Sequence, residues 1–389
     1  RNSILCFLNS IVARKMLEVI SPTLNFETSH IAALPIVNTE RISSNLDTIA
    51  NKCIEISRAD WDSYEKSWNF SAFFIVSDVA RRNSLAASWN NFSVHQRNQL
   101  LQLKLLEEEN NRLFINAYGL QDELSPEVPE DQITLTRADR EKDCQRLISY
   151  AIGCMMGRYS LDEPGLIYAH AGNVGFDPSR YSRVPADADG ILPITDEHWF
   201  EDDVPARVSE FLQAVWGPDT LAENLAWLAE SLGTKGSETP EETIRRYIAD
   251  KFYKDHLQTY KKRPIYWCFS SGRQKAFQCL VYLHRYHAGT LARMRMEYVV
   301  PLQSKMAARI DSLTDDIQAA SSSAQAKRLH KERDTLTKQL EELRRFDEHL
   351  RHYADQRITL DLDDGVKVNY SKFGNLLAEV KVVTGTSAD

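Results

Sequence analysis

The sequence predicts an α+β protein, predominantly α-helical, with a helical bundle region, an antiparallel coiled-coil hairpin and a small C-terminal β-hairpin. Three observations point there. Apolar residues recur at spacings of three and four through most of the chain, as in helices with one buried face. Between Met306 and Leu350 two such seams flank a polar tip, the pattern of a helix that turns back on its neighbour. From Ile358 to Tyr370 the run ITLDLDDGVKVNY alternates apolar and polar residues about Asp364-Gly365, a hairpin signal.

In chain order, Ile4, Leu5, Leu8, Ile11, Val12, Met16 and Leu17 describe an amphipathic helix ending near Ser21-Pro22. Helical patterns follow from Ile42 to Ile56, from Gln96 to Leu106 and from Leu106 to Leu120, where Gly119 stands as a C-terminal stop. Trp61, Trp68 and Trp89, near Asp60, Asp62 and Glu65, admit a stacking platform, but rings filling helix-helix gaps are the simpler reading. Pro126 and Pro129 mark an acidic linker. Cys144 to Tyr159 reads as a buried helix whose Gly153 and Gly157 let another backbone approach closely.

The Gly- and Pro-containing loop from Ala171 to Pro185 is not GxGxxG, so no nucleotide fold is read there. Val184 to Ala206 holds seven acids and no Lys or Arg; without the spacing of a calcium loop it reads as solvated surface. Helices are expected from Pro205 to Trp216, Asp219 to Leu232 and Glu241 to Tyr260. Met306, Ile310, Leu313 and Ile317 form one hairpin seam, Leu336, Leu340, Leu343 and Leu350 the other, with Ala319 to Ala326 as the tip. A short helix from Lys372 to Val380 and a Gly/Ser tail close the chain. The expected divisions are 1–39, a helical spacer at 40–125, a mainly helical domain at 126–305, the hairpin at 306–353, and 354–389.

The chain has 389 residues, 43% hydrophobic and 26% charged, which is globular composition with material for two or three cores and excludes disorder. No apolar run is long enough to span a bilayer, so no membrane partner is expected. Six cysteines without a CxxC pair suggest neither a zinc ribbon nor a disulfide framework, and a reducing cytoplasm is the expected compartment. An apolar, helix-like run directly after Arg1 reads as the interior of a longer polypeptide, without a signal peptide.

Charge singles out one stretch. Between Lys251 and Lys305 eleven Lys or Arg face only Asp255 and Glu297, a balance of +9 in a chain of net charge −8. A cationic island in an acidic protein suggests a localised surface for a polyanion. Lys254, Lys261, Lys262, Arg263, Arg273, Lys275, Arg285, Arg293 and Arg295 are the candidate DNA-contacting residues, with Tyr266 and Trp267 packing beneath them. The apolar spacing between Lys261 and Leu302 is of helical period.

Motifs for catalysis are missing: there is no D/N/S-P-P-Y/F/W tetrapeptide, P-loop, GxSxG or HExxH. Asp364 with Glu379 and Lys381 imitates a metal-nuclease D…ExK, but lacks the preceding Pro and puts the Glu in an expected helix. His284 and His287 lack a third ligand and read as packing or phosphate-facing residues. No catalytic, cofactor-binding or metal-ligating residue is assigned.

The segments SPTLNFETSHIAALPI, LFINAYGLQDEL, LISYAIGCMMGRYSLDEPGLIYA, DGILPITDEHWFEDD, KDHLQTYKKRPIYWCFSSGRQKAFQCLVYLHRY and LDLDDGVKVNYSKFG follow in this order. With them the chain, over essentially all its residues, resembles the C-terminal part of the adenine-specific DNA methyltransferases of BREX bacteriophage-exclusion systems, the PglX family. Its first segment also looks like the end of a target-recognition domain in type IIG and type I restriction-modification proteins. The resemblance implies that S-adenosyl-L-methionine and adenine-N6 methyl transfer belong to an N-terminal catalytic part, not to this fragment. It implies double-stranded DNA and other BREX proteins as partners. The expected role is to clamp the DNA backbone and dock partners; the alternative is a BREX scaffold without direct DNA contact. Phage-encoded inhibitors on the acidic surface are a further partner class that no residue pattern supports.

Overall fold

The computed structural model describes residues 1–21, 25–77 and 81–385. Its α-helices are α1 (Asn2–Leu8), α2 (Ile11–Ile20), α3 (Thr28–Ala32), α4 (Ser43–Asp62), α5 (Leu85–Tyr118), α6 (Arg140–Met155), α7 (Val204–Trp216), α8 (Leu221–Leu232), α9 (Pro240–Tyr247), α10 (Tyr253–Thr259), α11 (Thr290–Arg293), α12 (Val300–Gln318), α13 (Ser323–Asp355), α14 (Gly365–Ser371) and α15 (Val380–Thr384). Strands β1 (Ile191–Pro193), β2 (Tyr266–Ser270) and β3 (Gln278–Tyr282) form an antiparallel sheet of order β1-β3-β2. The mostly helical α+β class is therefore as expected. The expected turn at Pro22 and the tail beyond Gly385 lie outside the described residues. The chain divides into two units, Arg1–Asn69 with Trp89–Asp139, and Phe70–Ser88 with Arg140–Asp389.

In the first unit the single helix expected over the opening residues is two. The Ser10 side chain accepts the Ala13 N–H at 3.2 Å and so caps a new helix, α2. Phe7, Val12 and Leu17 meet Leu46 and Ala50 of α4 and Phe114 of α5 in one core. Asn110 Nδ2, buried beside it, donates to the Cys6 carbonyl and Asn111 Oδ1 accepts the Ile11 N–H, which offsets part of the cost of enclosing two amides. The patterns on either side of Leu106 merge into α5, since no breaker stands before Gly119 at φ +69°. Trp68 is fully exposed and Trp61 58% exposed, so these two rings do not fill helix gaps.

The second unit is organised by the sheet, which forms inside the stretch whose spacing suggested a helix. Every residue of β2 and β3 is buried. A strand covered on both faces shows no alternation and reads as a plain apolar run. Trp267 and Phe269 pack edge-on against Tyr370 and Phe373, with ring centroids 5.2 to 5.6 Å apart. Tyr266 lies on the opposite side against His256 and Tyr282.

The C-terminal β-hairpin expected about Asp364-Gly365 is not formed. Leu362–Asp364 is a 3₁₀ turn and Gly365 opens α14. The Asp361 side chain accepts the Asp363 N–H at 3.0 Å, and Asn369 bonds both the Asp361 N–H and the Gly365 carbonyl. These short-range bonds offer the backbone a local alternative to a ladder. The helix expected from Lys372 is also absent: Gly374–Leu376 is a 3₁₀ turn, and Leu377 bridges to Phe269 of β2.

The hairpin between Met306 and Leu350 folds as its seams indicate. α12 and α13 pack together with Met306, Leu313, Leu336, Leu343 and Leu350 almost wholly excluded from solvent. Among the described residues no helix is long and apolar enough to cross a membrane.

Candidate functional site

The cationic stretch begins on a continuous helical run. α9 passes through a π-helical turn, Ile248–Phe252, into α10, and Lys251, Lys254 and Gln258 are exposed at spacings of three and four along it. The Lys262 and Arg263 N–H groups close on the Leu257 and Tyr260 carbonyls, turning Lys261, Lys262 and Arg263 outward before β2 starts. Lys261 and Lys262 have φ of +50° and +61°. Glycine or asparagine is the usual residue at such helix ends, because a side chain in the left-handed region crowds the following carbonyl.

Beneath that turn lies His256, 2% exposed. Its Nε2 accepts the Ile265 and Tyr266 N–H groups, both at 3.1 Å, so that nitrogen carries no proton. Burial, then the Arg158 charge, push its pKa down to about 3. A neutral imidazole thus pins the far end of the cationic turn to α10.

Arg273 sits beyond the other end of β2, about 16 Å of strand away. Its turn is held by Glu342 of α13, whose carboxylate accepts from the Ser271 hydroxyl at 2.8 Å, the Gln274 N–H at 2.7 Å and the Ala276 N–H at 3.4 Å. Lys275 Nζ bonds the Ala249 carbonyl and the Asp250 carboxylate at 3.0 and 2.6 Å, joining this turn to the π-helical turn that precedes α10. The 271–276 turn is therefore fastened ahead of α10, and the 261–263 turn closes the C-terminal end of that helix.

Not all nine candidate cations are exposed and unpaired. Arg285 is 1% exposed, and that expectation is corrected: its guanidinium donates to the Asp187 and Ala188 carbonyls and to Asn173 Oδ1, 3.8 Å over the Phe176 ring. Gly190 makes room for it, since a Cβ there would meet the Arg285 side chain at 3.2 Å. It fastens the acidic loop from inside. Arg295 makes a two-pronged pair with Asp347 of α13 at 2.7 and 3.1 Å, Arg293 pairs with Glu297 at 3.4 Å, and Lys275 is engaged as above. Lys254, Lys261, Lys262, Arg263 and Arg273 are exposed and make no ion pair or side-chain hydrogen bond among the described residues. Tyr266 and Trp267 are buried beneath, as the sequence suggested.

The acidic run is not simply solvated. Asp187 accepts the Gly190 N–H at 2.7 Å and the Asp189 N–H at 3.1 Å, and burial, then Asp189, raise its pKa to about 7. The Tyr298 hydroxyl bonds Asp189 and Asp202, and Asp203 pairs with Arg245 at 2.6 Å. No group of three or more His, Cys, Asp or Glu is placed to hold a metal among the described residues. Sequence alone does not distinguish His256 and Glu342, because a helical His and a hairpin Glu carry no signal of the distant backbone groups they bond.

No protein-family model matches the chain. It is 46% identical over 416 aligned residues to the adenine-specific methyltransferase BrxX of Escherichia coli O9:H4 (strain HS), a match covering all of this chain and 33% of that protein. It is 40% identical over 386 residues to the adenine-specific methyltransferase PglX of Lacticaseibacillus casei (strain Zhang), covering 98% of this chain and 31% of that one. The chain thus spans about a third of the length of these curated relatives. With such identity along its whole length, the chain is homologous to the BrxX and PglX adenine-specific methyltransferases and corresponds to one portion of a protein of that kind.

Proposed function

We propose that this chain is the C-terminal part of a site-specific adenine-N6 DNA methyltransferase of a BREX phage-exclusion system, acting in the cytoplasm. It grips duplex DNA through backbone phosphates and docks other BREX proteins, while base readout and methylation lie mostly in the remaining length of the enzyme. The observation that carries this reading is that Lys254, Lys261, Lys262, Arg263 and Arg273 stand exposed and without an ion pair among the described residues. Cations presented this way suit phosphate contacts, which set register on the duplex without reading its sequence.

S-adenosyl-L-methionine, which would supply the methyl group, does not fit the residues here. β2 leads into a turn whose Gln274 and Ala276 N–H groups are spent on Glu342 and then into an antiparallel partner, not into a glycine-rich turn that opens a helix.

Fluorescence anisotropy with a labelled duplex over a salt series tests the reading. Changing Lys261, Lys262 and Arg263 together to Ala is expected to make the log affinity against log salt slope shallower by about 0.9 per lost contact. An unchanged slope removes those residues from the interface.

A second reading has its own support. Arg285, Arg293, Arg295 and Lys275 are neutralised or buried within the molecule, as a scaffold without DNA contact requires. Co-purification of BREX proteins that survives charge reversal at 261–263 but not deletion of Met306 to Leu350 would favour it.

A further inference from the structure

One arginine outside the candidate interface lacks the partner its surroundings call for. Arg158 follows α6, where its N–H closes on the Gly153 carbonyl at 2.8 Å and Gly157 adopts φ +75°. The turn lays Tyr159 on Gly153, where a Cβ would meet the ring at 2.5 Å. The Arg158 guanidinium lies 5.2 Å from the centre of the Tyr159 ring and 5.7 Å from that of Tyr260, and its Nε donates to the Tyr159 hydroxyl at 2.9 Å. The partly buried Arg245, Arg246 and Arg295 each have a carboxylate. Among the described residues Arg158 has none.

Enclosing a guanidinium without a counter-charge costs several kcal/mol in general, and aromatic faces offset only part of it. A second group nearby is also unsatisfied: His284 Nδ1 is buried without a hydrogen-bond partner among the described residues, its ring 5.0 Å from that of Tyr282. Burial, then the Arg158 charge, push the His284 pKa down to about 4, which leaves a neutral ring able to donate one hydrogen bond. The cluster is not sealed, because Arg158, Tyr260 and His284 all keep some solvent contact. Tyr260 immediately precedes Lys261.

We infer that Arg158, walled by Tyr159 and Tyr260 and flanked by His284, is a built site for a phosphate group. This rests on the proposed DNA reading in one respect: in the DNA complex it takes a backbone phosphodiester adjoining those met by Lys261, Lys262 and Arg263. Nε is already engaged by Tyr159 and one guanidinium N–H by the Tyr282 hydroxyl, so the remaining terminal N–H groups are left to bond phosphate oxygens, the chemistry in which a guanidinium outperforms an ammonium.

The test uses the whole chain and two probes. Inorganic phosphate is titrated into ¹⁵N-labelled protein while the Arg158 Nε–H and His284 ring signals are followed. A saturable shift, weakened in Arg158→Lys and lost in Arg158→Met, is expected; its absence in the unaltered protein overturns the site, and that arm stands even if Arg158→Met fails to fold. Duplex binding is then measured over salt, where Arg158→Met is expected to make the slope shallower by about 0.9. A phosphate shift with an unchanged duplex slope overturns the assignment to DNA and makes a free phosphate compound the ligand. Should the 261–263 variant leave duplex binding unaltered while the phosphate shift persists, the proposed clamp fails and the anion site stands.

Discussion

Replacing Lys261 and Lys262 by Gly separates what their charges do from what their backbone costs. Both residues hold left-handed φ, +50° and +61°, and the Lys262 N–H closes the helix end on the Leu257 carbonyl at 2.7 Å. A non-glycine residue in this region costs on the order of 1 kcal/mol. Gly at each position is therefore expected to stabilise the chain by about 1 kcal/mol relative to Ala, which keeps the strain and loses the same charge. The readout is the urea midpoint at unchanged m-value. Both double variants lose two charges. Each should make the salt slope shallower by roughly 1.8, so that the affinity lost between 50 and 200 mM salt falls about twelvefold relative to the unaltered chain. Equal stability of the Gly and Ala variants would refute the strain argument. Equal salt slopes for the variants and the parent would refute the phosphate contacts.

Glu342→Ala removes the acceptor of the Ser271 hydroxyl and the Gln274 N–H; a loss of about 1–3 kcal/mol and faster proteolysis at the 271–276 turn are expected, read by denaturation and timed digestion. His256 is neutral in the folded chain, with its pKa depressed to about 3, whereas an unfolded His binds a proton below pH 6.5. Stability from this residue is therefore whole above pH 6.5 and declines by up to about 1.4 kcal/mol per pH unit below it, until its folded pKa is reached. Its ring C2 proton should show no titration between pH 5 and 8 by NMR; a midpoint near 6.5 would contradict the assignment. Gly153→Ala drives a Cβ to 2.5 Å from the Tyr159 ring and should cost about 1–3 kcal/mol while weakening the phosphate response at Arg158. Leu343→Ala in the hairpin seam, fully buried, should cost about 2–5 kcal/mol by thermal or chemical melting.

What the sequence determined on its own are the features in which local periodicity and global packing agree. The hairpin seams could be read because a long amphipathic helix pair must bury one residue in three or four, and Met306, Leu313, Leu336 and Leu343 are buried accordingly. The helices from Val204 to Leu232 emerged within a residue or two, since Asp203 with Pro205 and then Gly217 punctuate them. Tertiary structure decided the rest. β2 and β3 are covered on both faces, so nothing in YWCFS or QCLVY separates a strand from a helix until the partners Tyr370 and Phe373 arrive from a hundred residues away. Asp364-Gly365 looks like a hairpin turn, yet Asp361 and Asn369 capture the backbone first. Gly153 and Gly157 admit the rings of Tyr159 and Phe176 instead of a neighbouring backbone. Charge is the clearest case. Composition gathers eleven cations between Lys251 and Lys305, but where each points depends on distant carbonyls and carboxylates, so Arg285 is drawn inside while Lys261 and Lys262 are turned out.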